Sequence, residues 1–558
     1  MSVDDLIGST SAPDMDVTSA AQRLVYGLVS APWGQVSPSV YETGRVVSLT
    51  PWLTGHVPRL RYLLETQRPD GGWGAPDDGY ALVPTLSATE AILATLCRGT
   101  DEAALAERAG RGLRFLFRRL GGDGGLTGAG LPDMPAIELI AASLVGLINR
   151  HLEAPPASLE DWRDRRLSLP PGLDDTKLGL IRAALGSGIE VPEKLKHALE
   201  IAGDVAVGLD TIRPEPTGTI GASPAATAAW LGGTEPPDPS NVARWHLETV
   251  VDLLGGPVPC GIPITVFERA WVLSGLVRAG IPVTVPAELV LSLTAPLGPR
   301  GAPAAAGLPA DADTTSGALF ALALLGAPHP PDLLRAYETE THFCTWPGED
   351  GLSVSTNAHV LEAFGQYAAV RPDAAARYRT TIGKLSVWLC RQQRPAGSWF
   401  DRWHASPYYA TACAALALHD FGDRAVDRAD DTAVDTAGDT AVDRAVDRAV
   451  DRAVRWVLRT QRADGSWGRW GGTAEETAYA VQILSLTGSL TGPASDECGQ
   501  AVKRGHAHLL SGADELDGPP LWHDKDLYLP AAVVRAAVLA ALHLGAAPRG
   551  AGRFVSER

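Results

Sequence analysis

Cysteine is scarce in this sequence, and no two cysteines stand close enough to indicate a metal knot or a disulfide framework. The 558 residues contain six cysteines, and none belongs to a C-x-x-C pair. This usage is typical of a reducing compartment, so we expect a cytoplasmic location. The opening stretch, MSVDDLIGSTSAPDMDV, has neither a basic start nor an apolar core, which speaks against a signal peptide.

Basic charge and long apolar runs are also scarce. Lys and Arg number 48 against 65 Asp and Glu, a formal net charge of -17. Because no basic stripe interrupts this acidity, we expect no nucleic-acid partner. No stretch approaches the run of about 18 uninterrupted apolar residues that a spanning helix needs, so we expect no stable membrane insertion. The chain is long enough for two packed domains.

Strand signals are rare, whereas apolar residues recur at helical spacing along the chain. Examples are FERAWVLSGLVRAG, TTSGALFALALLG and AAVVRAAVLAALHLG. Stretches rich in Pro and Gly, such as LLGGPVPCGIP, separate these segments and end one helix before the next begins. The sequence therefore predicts an all-α protein.

A short unit recurs three times in this helical background. It appears as QRPDGGWG at 67–74, QRPAGSW at 393–399 and QRADGSWG at 461–468. Each copy predicts a helix end, a turn, a Trp packed on the next helix and a Gln amide bonded to nearby backbone. Helix-turn-helix repeats of this kind stack side by side, and a closed ring of them is an α/α barrel.

One segment is of low complexity. Residues 423–454 run DRAVDRADDTAVDTAGDTAVDRAVDRAVDRAV, with Asp at every fourth position. An interaction arm and a solvated helix or loop are both compatible with this pattern, and we favour the second because Arg and Asp pair along a helix surface. We predict that this segment carries no catalytic chemistry.

Two carboxyl groups stand two residues apart at the start of an apolar helix, in LPADADTTSGALF. Asp311 and Asp313, followed by Thr314, have the residue types of a helix N-cap, which explains them without any chemistry. The alternative is functional. Two carboxyls set against apolar faces cannot both ionise cheaply, so one keeps its proton and becomes a Brønsted acid.

Further candidates lie downstream. SVSTNAH places Asn357 at another helix start, where Ser, Thr and Asn also serve as caps. Aromatic residues then cluster around Trp403, Tyr408 and Trp522, and most such stripes are core. Trp, at 15, outnumbers Tyr, at 11, and Phe, at 9, and a surplus of electron-rich rings suits a cavity that holds a carbocation.

These motifs together resemble the class II terpene cyclases, and in detail the bacterial synthases of bicyclic prenyl diphosphates of the halimadienyl, drimenyl and copalyl type. The repeats resemble the Gln/Trp motif of that superfamily, and DADTT resembles a variant of its Asp-x-Asp-Asp acid motif. The resemblance runs from about Gln67 to about Leu544 and misses mainly residues 423–454, which it therefore implies to be an insertion. Its other matching stretches are EPTGTIGASPAATAAW, SVSTNAHVLEAF, DRWHASPYYAT, TQRADGSWG and LWHDKDLYLPAAVVRAA.

The resemblance implies roles for the acid motif. Asp313, the middle Asp, would be the proton donor, and Asp311 would orient it by hydrogen bonds. Thr314 stands where the family more often has a third Asp, so the support of the acid differs from the plant pattern. Asn357 would hydrogen-bond the acid. These roles agree with the chemical demand, because an alkene is protonated only by an acid that is desolvated and aimed.

The resemblance also implies a diphosphate that is bound and kept. The metal-binding D-D-x-x-D motif that cleaves diphosphates in other terpene synthases is missing from the sequence. Lys525 and Arg402 are candidates for phosphate contact, and either could equally lie on the surface. Magnesium assists binding in the family, and Glu200 and Asp204 are the candidate ligands. A solvated helix face explains that pair equally well.

From the resemblance we expect two α/α-barrel domains with a substrate cavity between them. Residues 1–25 and 256–558 would form the barrel with the acid motif, and residues 26–255 an inserted barrel. The expected reaction converts geranylgeranyl diphosphate to a bicyclic decalin-type diphosphate, with Trp403, Tyr408 and Trp522 around the substrate. Farnesyl diphosphate, giving a drimane, is the alternative substrate. A phosphatase or a class I terpene synthase would act downstream.

Other classes fit less well. A triterpene cyclase would share the acid motif but carry an apolar membrane-docking patch. A protein prenyltransferase would need an Asp/Cys/His zinc set, and a glycoside-active barrel would need carboxylates in a wet groove. A non-catalytic repeat protein would explain the Trp units but not the clustered acid, Asn and aromatic segments.

Overall fold

The fold is all-α, as predicted, and was analysed in a computed structural model. The structure describes residues 16–100, 102–121, 125–349, 351–422, 445–487, 493–512, 516 and 518–546. The helices of the first part of the chain are α1 (Val17–Ser30), α2 (Val40–Leu49), α3 (His56–Glu65), α4 (Asp78–Cys97), α5 (Ala103–Leu120), α6 (Ile137–Glu153), α7 (Thr176–Gly186), α8 (Glu193–Lys196), α9 (Pro224–Leu231) and α10 (Val242–Leu254).

The second part of the chain adds ten helices and one small hairpin to the described fold. The helices are α11 (Thr265–Arg278), α12 (Ala287–Thr294), α13 (Ala312–Leu324), α14 (Val354–Val370), α15 (Ala375–Gln392), α16 (Pro407–Phe421), α17 (Ala445–Thr460), α18 (Ala474–Leu486), α19 (Pro493–Ser511) and α20 (Ala531–Ala546). The antiparallel hairpin pairs β1 (Trp522–His523) with β2 (Leu527–Tyr528). Short 3₁₀ helices occupy Gly128–Gly130, Ala157–Trp162, Leu199–Ala206, Pro331–Tyr337 and Pro372–Ala374.

Six helices of the second part form a closed ring. Each of α11, α13, α14, α16 and α18 packs on the next, and α20 closes the ring by packing on both α18 and α11. An outer layer made of α12, α15, α17 and α19 fills the grooves between them. The first helix, α1, packs on α11 and α20 and so occupies an outer position of this second barrel. The N-terminal helix thus completes a barrel whose other helices begin more than 200 residues later.

A smaller ring forms from the first part of the chain. Helices α2, α4, α6 and α9 and the 3₁₀ helix Leu199–Ala206 pack in a closed circuit, with α3, α5, α7 and α10 outside. The two barrels have separate apolar cores, except that Ala405, Leu521 and Leu527 of the second part join the core of the first. The predicted boundaries at residues 25 and 255 stay a prediction, and the position of α1 is compatible with them.

The three Trp units are alike in atomic detail. Trp73, Trp399 and Trp467 are fully buried, and each indole N–H donates to a carbonyl ten residues earlier, at 2.7–2.8 Å. The Gln that precedes each Trp donates to two backbone carbonyls, one in its own turn and one on a neighbouring helix. Each unit therefore ties one helix pair to the next, as the sequence predicts.

Two segments bear on the remaining expectations. Residues 423–444 of the low-complexity run lie outside the described residues, whereas residues 445–454 form the first part of α17 and bury an apolar face, so they are not wholly solvated. The insertion of this run stays a prediction. In the described part of the chain, Gly79–Cys97 is long and apolar enough to cross a membrane by length and composition. It is the core helix of the first barrel, and 94% of its apolar window is buried inside the protein.

The Trp units predict a stability test. Trp467→Ala removes a buried indole and its hydrogen bond, so we expect it to lower the free energy of unfolding by about 3–5 kcal/mol in urea denaturation. Trp245→Ala, at a side chain that is 52% exposed, should cost about 1 kcal/mol or less. Equal losses for the two variants would contradict the role of the Trp unit.

Candidate active site

The acid motif lies at the N-terminus of the inner helix α13. Asp311 is its N-cap: Oδ1 accepts the Thr314 N–H at 2.6 Å, and Oδ2 accepts the Thr314 hydroxyl at 3.0 Å. The capping interpretation is thus correct for Asp311, and it assigns Thr314 as the hydrogen-bond donor that orients this carboxyl. Asp313 belongs to the first turn and makes no cap.

Asp313 has an incompletely satisfied carboxyl. Its Oδ1 is buried and has no hydrogen-bond partner, although the residue as a whole keeps some exposed surface. Burial raises the pKa of Asp313 to about 6, against the effect of nearby His359. Burial and repulsion from Asp313 raise the pKa of Asp311 to about 8. The two carboxyls therefore hold at least one proton near neutral pH.

Hydrogen bonds and burial act in opposite directions on Asp311. Both of its oxygens accept bonds from Thr314, and such bonds favour the ionised form of a carboxyl. Burial and the repulsion from Asp313 outweigh these bonds, because the pKa of Asp311 rises to about 8 and that of Asp313 only to about 6. Near neutral pH the proton of the pair therefore rests mainly on Asp311, next to Asp313, whose Oδ1 accepts no hydrogen bond.

Asn357 does not contact the acid, contrary to the expectation from the resemblance. Its Oδ1 accepts the Phe343 N–H at 2.8 Å, and its Nδ2 donates to the carbonyls of Phe343 and Ser353. Two residues further on, the Thr345 carbonyl accepts the N–H of Ala312, between the two acidic residues. Asn357 thus holds the loop that in turn holds the acid motif.

A cavity lies inside the second barrel. Counting its open mouth, it encloses about 720 Å³ of empty space. All six ring helices contribute to its wall, which includes the aromatic side chains of Trp271, Phe320, His359, Tyr409 and Tyr479. Gly317 also lines the cavity, and Asp313, which is not itself a lining residue, lies one turn earlier on the same face of α13. The acid therefore lies beside this aromatic chamber, and the expected substrate cavity between the two barrels stays a prediction.

Polar groups inside this chamber are paired with one another. His359 Nδ1 lies 2.9 Å from Glu362 Oε2, and its Nε2 lies 3.3 Å from the Tyr409 hydroxyl. Glu362 also pairs with Arg278, which contacts Asp420 at 2.6 Å. Burial lowers the pKa of His359, but its contacts with Cys413 and Glu362 outweigh burial and raise that pKa well above its usual range. A continuous ionic chain thus closes the side of the chamber.

The sequence-predicted aromatic residues separate into two groups. Tyr408 packs on Trp456, with ring centroids 4.6 Å apart, and does not line the cavity. Its neighbour Tyr409 does, and accepts the Trp271 indole N–H at 3.0 Å. Trp522 packs on Tyr409 at 4.7 Å and donates its N–H to Glu475 at 2.7 Å. Tyr409 therefore lines the cavity and Trp522 supports the wall from behind, while the predicted contact of Tyr408 with substrate stays a prediction.

Arg402 and Trp403 lie where the two barrels meet. Arg402 contacts Glu349 at 3.1 Å and Asp133 of the first barrel at 2.9 Å. Trp403 packs edge-on against Trp346, and both indole nitrogens are buried without a hydrogen-bond partner. Neither Arg402 nor Trp403 lines the chamber. Their predicted contact with substrate stays a prediction.

Comparison with known proteins decides the family. Residues 349–525 match the Squalene-hopene cyclase C-terminal domain family. The chain is 40% identical to the ent-copalyl diphosphate synthase of Streptomyces sp. (strain KO-3988), covering 95% of this chain and 97% of the relative. The chain belongs to the class II terpene cyclases.

Two further relatives agree with this cyclase assignment. The labda-7,13-dienyl diphosphate synthase of Streptomyces clavuligerus is 40% identical, over 94% of this chain and 93% of its own. The solved structure of the ent-copalyl diphosphate synthase of Streptomyces platensis superposes with a TM-score of 0.86 at 44% identity, covering 95% of this chain and 100% of that one. The predicted α/α-barrel terpene cyclase fold is confirmed.

Lys525 of this cyclase occupies a place that the sequence did not predict. Its side chain is completely buried, and Nζ contacts Glu42, Glu200 at 2.9 Å, Ser223 at 2.8 Å and the His197 carbonyl at 2.7 Å. These oxygens satisfy all three ammonium protons and leave no face for a phosphate. The predicted phosphate contact is therefore wrong for this structure.

The predicted metal pair of the cyclase does not fit a magnesium ion. Glu200 is buried and bound to Lys525 and to the Tyr41 hydroxyl, whereas Asp204 is exposed. The spacing of four assumes an α-helix, but this segment is a 3₁₀ helix broken at Gly203, with φ 63° and ψ -140°. In the described residues no group of three or more His, Cys, Asp or Glu side chains could hold a metal.

Several cavity residues escaped the sequence analysis. Trp271, Phe320, Glu362 and Tyr479 sit in apolar helices that looked like ordinary core. A usable signal does exist, because the ring helices place small and aromatic residues three or four apart on one face. Recognising it requires knowing which helices are inner ones.

Gly317 lies at a position of the cyclase chamber where we expect an added side chain to destabilise the fold. A Cβ at this position would lie 2.5 Å from Cζ3 of Trp271, so Gly317→Ala should lower the free energy of unfolding by about 1–3 kcal/mol. Gly275 is the matched control, because it lines the same cavity and its Cβ would meet nothing within 4 Å. Gly275→Ala should be neutral or stabilising by about 0.5–1 kcal/mol in urea melts. A stable Gly317→Ala would refute the close Trp271 contact.

The raised pKa of Asp313 predicts a pH dependence of stability. The pKa is about 6 in the folded cyclase and about 3.9 in the unfolded chain, so the folded state binds the proton more tightly. The resulting stabilisation is complete below about pH 4 and is lost as the pH rises through about 6. Compared with Asp313→Asn, the wild type should lose about 2–3 kcal/mol of unfolding free energy over this range. A constant difference between the two proteins would contradict the shift.

Proposed function

We propose that this cyclase converts geranylgeranyl diphosphate to a bicyclic decalin-type diphosphate, with the diphosphate retained. The observation that carries the proposal is the buried, unpartnered Oδ1 of Asp313, one helical turn before the Gly317 wall of an aromatic chamber. The names of the relatives support the product class, since they include copalyl and labda-7,13-dienyl diphosphate synthases. Other residue roles in the site rest on the resemblance and on the contacts described above.

The proposed chemistry begins with one proton transfer. Asp313 gives its proton to the terminal alkene of the folded substrate and becomes a carboxylate, and the substrate becomes a tertiary cation. The π electrons of the next two alkenes close the rings in turn, and loss of a proton from the bicyclic cation ends the reaction. Substrate and product are isomers. In this proposal the bound substrate fills the chamber and keeps out the water that would otherwise capture the cation.

Aromatic rings are the groups that steer the cation in this proposal. Trp271, Tyr409 and Tyr479 present π faces that stabilise positive charge without reacting with it. Thr314 orients Asp311, and the role of Asp313 as the proton donor in this proposal rests on the resemblance. Catalysis then rests on preorganisation, because the wall and the acid are in place before the charge develops.

Partners follow from a product that keeps its diphosphate. We propose that a phosphatase or a class I terpene synthase consumes the bicyclic diphosphate, and that the cyclase works in the cytoplasm. Magnesium remains part of the proposal only as a companion of the substrate diphosphate, because Glu200 and Asp204 do not form a site for it.

The test is a substrate assay with the intact protein. Geranylgeranyl and farnesyl diphosphates are incubated with and without magnesium, dephosphorylated, and analysed by gas chromatography and mass spectrometry. We expect a bicyclic C20 alcohol. A bicyclic C15 alcohol as the main product would favour the drimane alternative, and only linear alcohols in every assay would refute the proposal in favour of a non-catalytic protein.

Asp313→Asn tests the acid in the same assay. We expect the rate of cyclisation to fall by at least about 10³-fold, since the amide cannot supply the proton, while the fold is preserved. Asp373→Asn, at a side chain that is 73% exposed, is the matched control and should keep full activity. Residual turnover near the wild-type rate in Asp313→Asn would place the acid elsewhere.

A further inference from the structure

The β1–β2 hairpin connects the two barrels in an unusual way. Its tip, residues 524–526, consists of three charged residues, Asp524, Lys525 and Asp526, and all three bind the first barrel. Its base carries Trp522, which supports the chamber of the second barrel. Burying charged groups is costly unless they are paired and hydrogen-bonded, so a buried charged tip calls for an explanation.

Lys525 is the centre of the tip. Its ammonium group lies between the carboxylates of Glu42, on α2, and Glu200. Ser223, the N-cap of α9, also accepts from it, and Glu42 in turn accepts the Ala225 N–H of that helix at 2.6 Å. One buried cation thus gathers three elements of the first barrel around the hairpin tip.

The two aspartates hold the tip on either side of this cation. Asp524 contacts His197 Nε2 at 2.7 Å, and His197 Nδ1 lies 2.6 Å from the Gly221 carbonyl. Because a carboxylate and a carbonyl only accept, both ring nitrogens of His197 donate and the ring is a cation. Asp526 accepts from the Ser39 hydroxyl and the Tyr41 N–H, at the start of α2. Each of the three charged residues of the tip therefore makes its own contacts with the first barrel.

The base of the hairpin packs against the wall of the chamber. Trp522 packs on Tyr409, on Phe267 at 5.4 Å and on His404 at 5.0 Å. Only about three residues separate Trp522 from the buried ions, and the strands β1 and β2 are paired to each other and to the segment around His404. A movement of the tip must therefore displace the ring that supports Tyr409.

We infer that Lys525 is a positioning residue that fixes Trp522, and through it the Tyr409 face of the chamber, from the other barrel. One part of this inference rests on the proposed function: the consequence that the wall directs ring closure and the final proton loss. It replaces the phosphate role that the sequence suggested for Lys525. The buried ion cluster acts on the course of the reaction and not on the affinity for diphosphate.

Lys525→Met separates the two roles. If Lys525 positions the wall, kcat should fall by about 10- to 100-fold, KM should stay within about threefold of wild type, and the mixture should gain monocyclic or isomeric products. If Lys525 binds diphosphate, KM should rise by at least about tenfold with an unchanged product mixture, and that result would overturn the inference. Lys503→Met, at an exposed lysine of α19, is the matched control and should match wild type in every respect.

A second variant and a second measurement keep the inference testable if the Lys525→Met protein does not fold. Asp524→Asn weakens the pair with His197 while preserving shape, and should change the product mixture in the same direction by a smaller amount. Hydrogen exchange needs no substrate: the amides of His523 and Leu527 should exchange faster in either folded variant than in Lys503→Met. Unchanged exchange together with an unchanged product mixture in Asp524→Asn would overturn the inference.

The controls also separate this inference from the proposed function. A wild type that cyclises no prenyl diphosphate refutes the proposed function, whereas the exchange measurement still reports whether the ion cluster fixes the hairpin. A wild type that cyclises substrate, with variants that change only KM, leaves the function standing and refutes the positioning role.

Discussion

Two carboxyl groups share the amino end of one inner helix, in surroundings where both cannot ionise. Every other feature of the chamber follows from that constraint. Thr314 gives both of its donors to Asp311. Asp313 is left with a covered oxygen that accepts nothing, and burial raises the pKa of both carboxyls. A weak acid becomes a useful donor here because the protein has removed the water and the hydrogen bonds that would stabilise its conjugate base.

The barrel provides this environment because its ring is closed. Six inner helices bury the walls of the chamber, and buried Trp units tie successive helix pairs together at the periphery. Loop contacts refine the site further. Asn357 anchors the Phe343 segment, and Thr345 in that segment holds Ala312 between the two carboxyls. The acid is thus positioned indirectly, because Asn357 holds the Phe343 segment and that segment holds the backbone of Ala312.

Charged side chains have different surroundings in the chamber and between the barrels. Around the chamber, His359, Glu362, Arg278 and Asp420 form a paired chain at the periphery of an aromatic wall. Between the barrels, Lys525 is buried among carboxylates of the first barrel. Breaking a buried pair is costly because one charge is left without compensation, so such a cluster fixes geometry more strictly than apolar packing does.

The sequence by itself determined the features that depend on local order along the chain. Helical periodicity predicted the all-α fold, the Trp units predicted the backbone bonds of their Gln amides, and the DADTT stretch located Asp311 and Asp313 at a helix start. Tertiary structure decided the rest, because it depends on partners far away in the chain. Neighbouring residues on a helix point about 100° apart, so only packing distinguishes Tyr409 in the wall from Tyr408 in the core. Lys525 likewise meets carboxylates more than 300 residues away, and no local pattern records such a meeting.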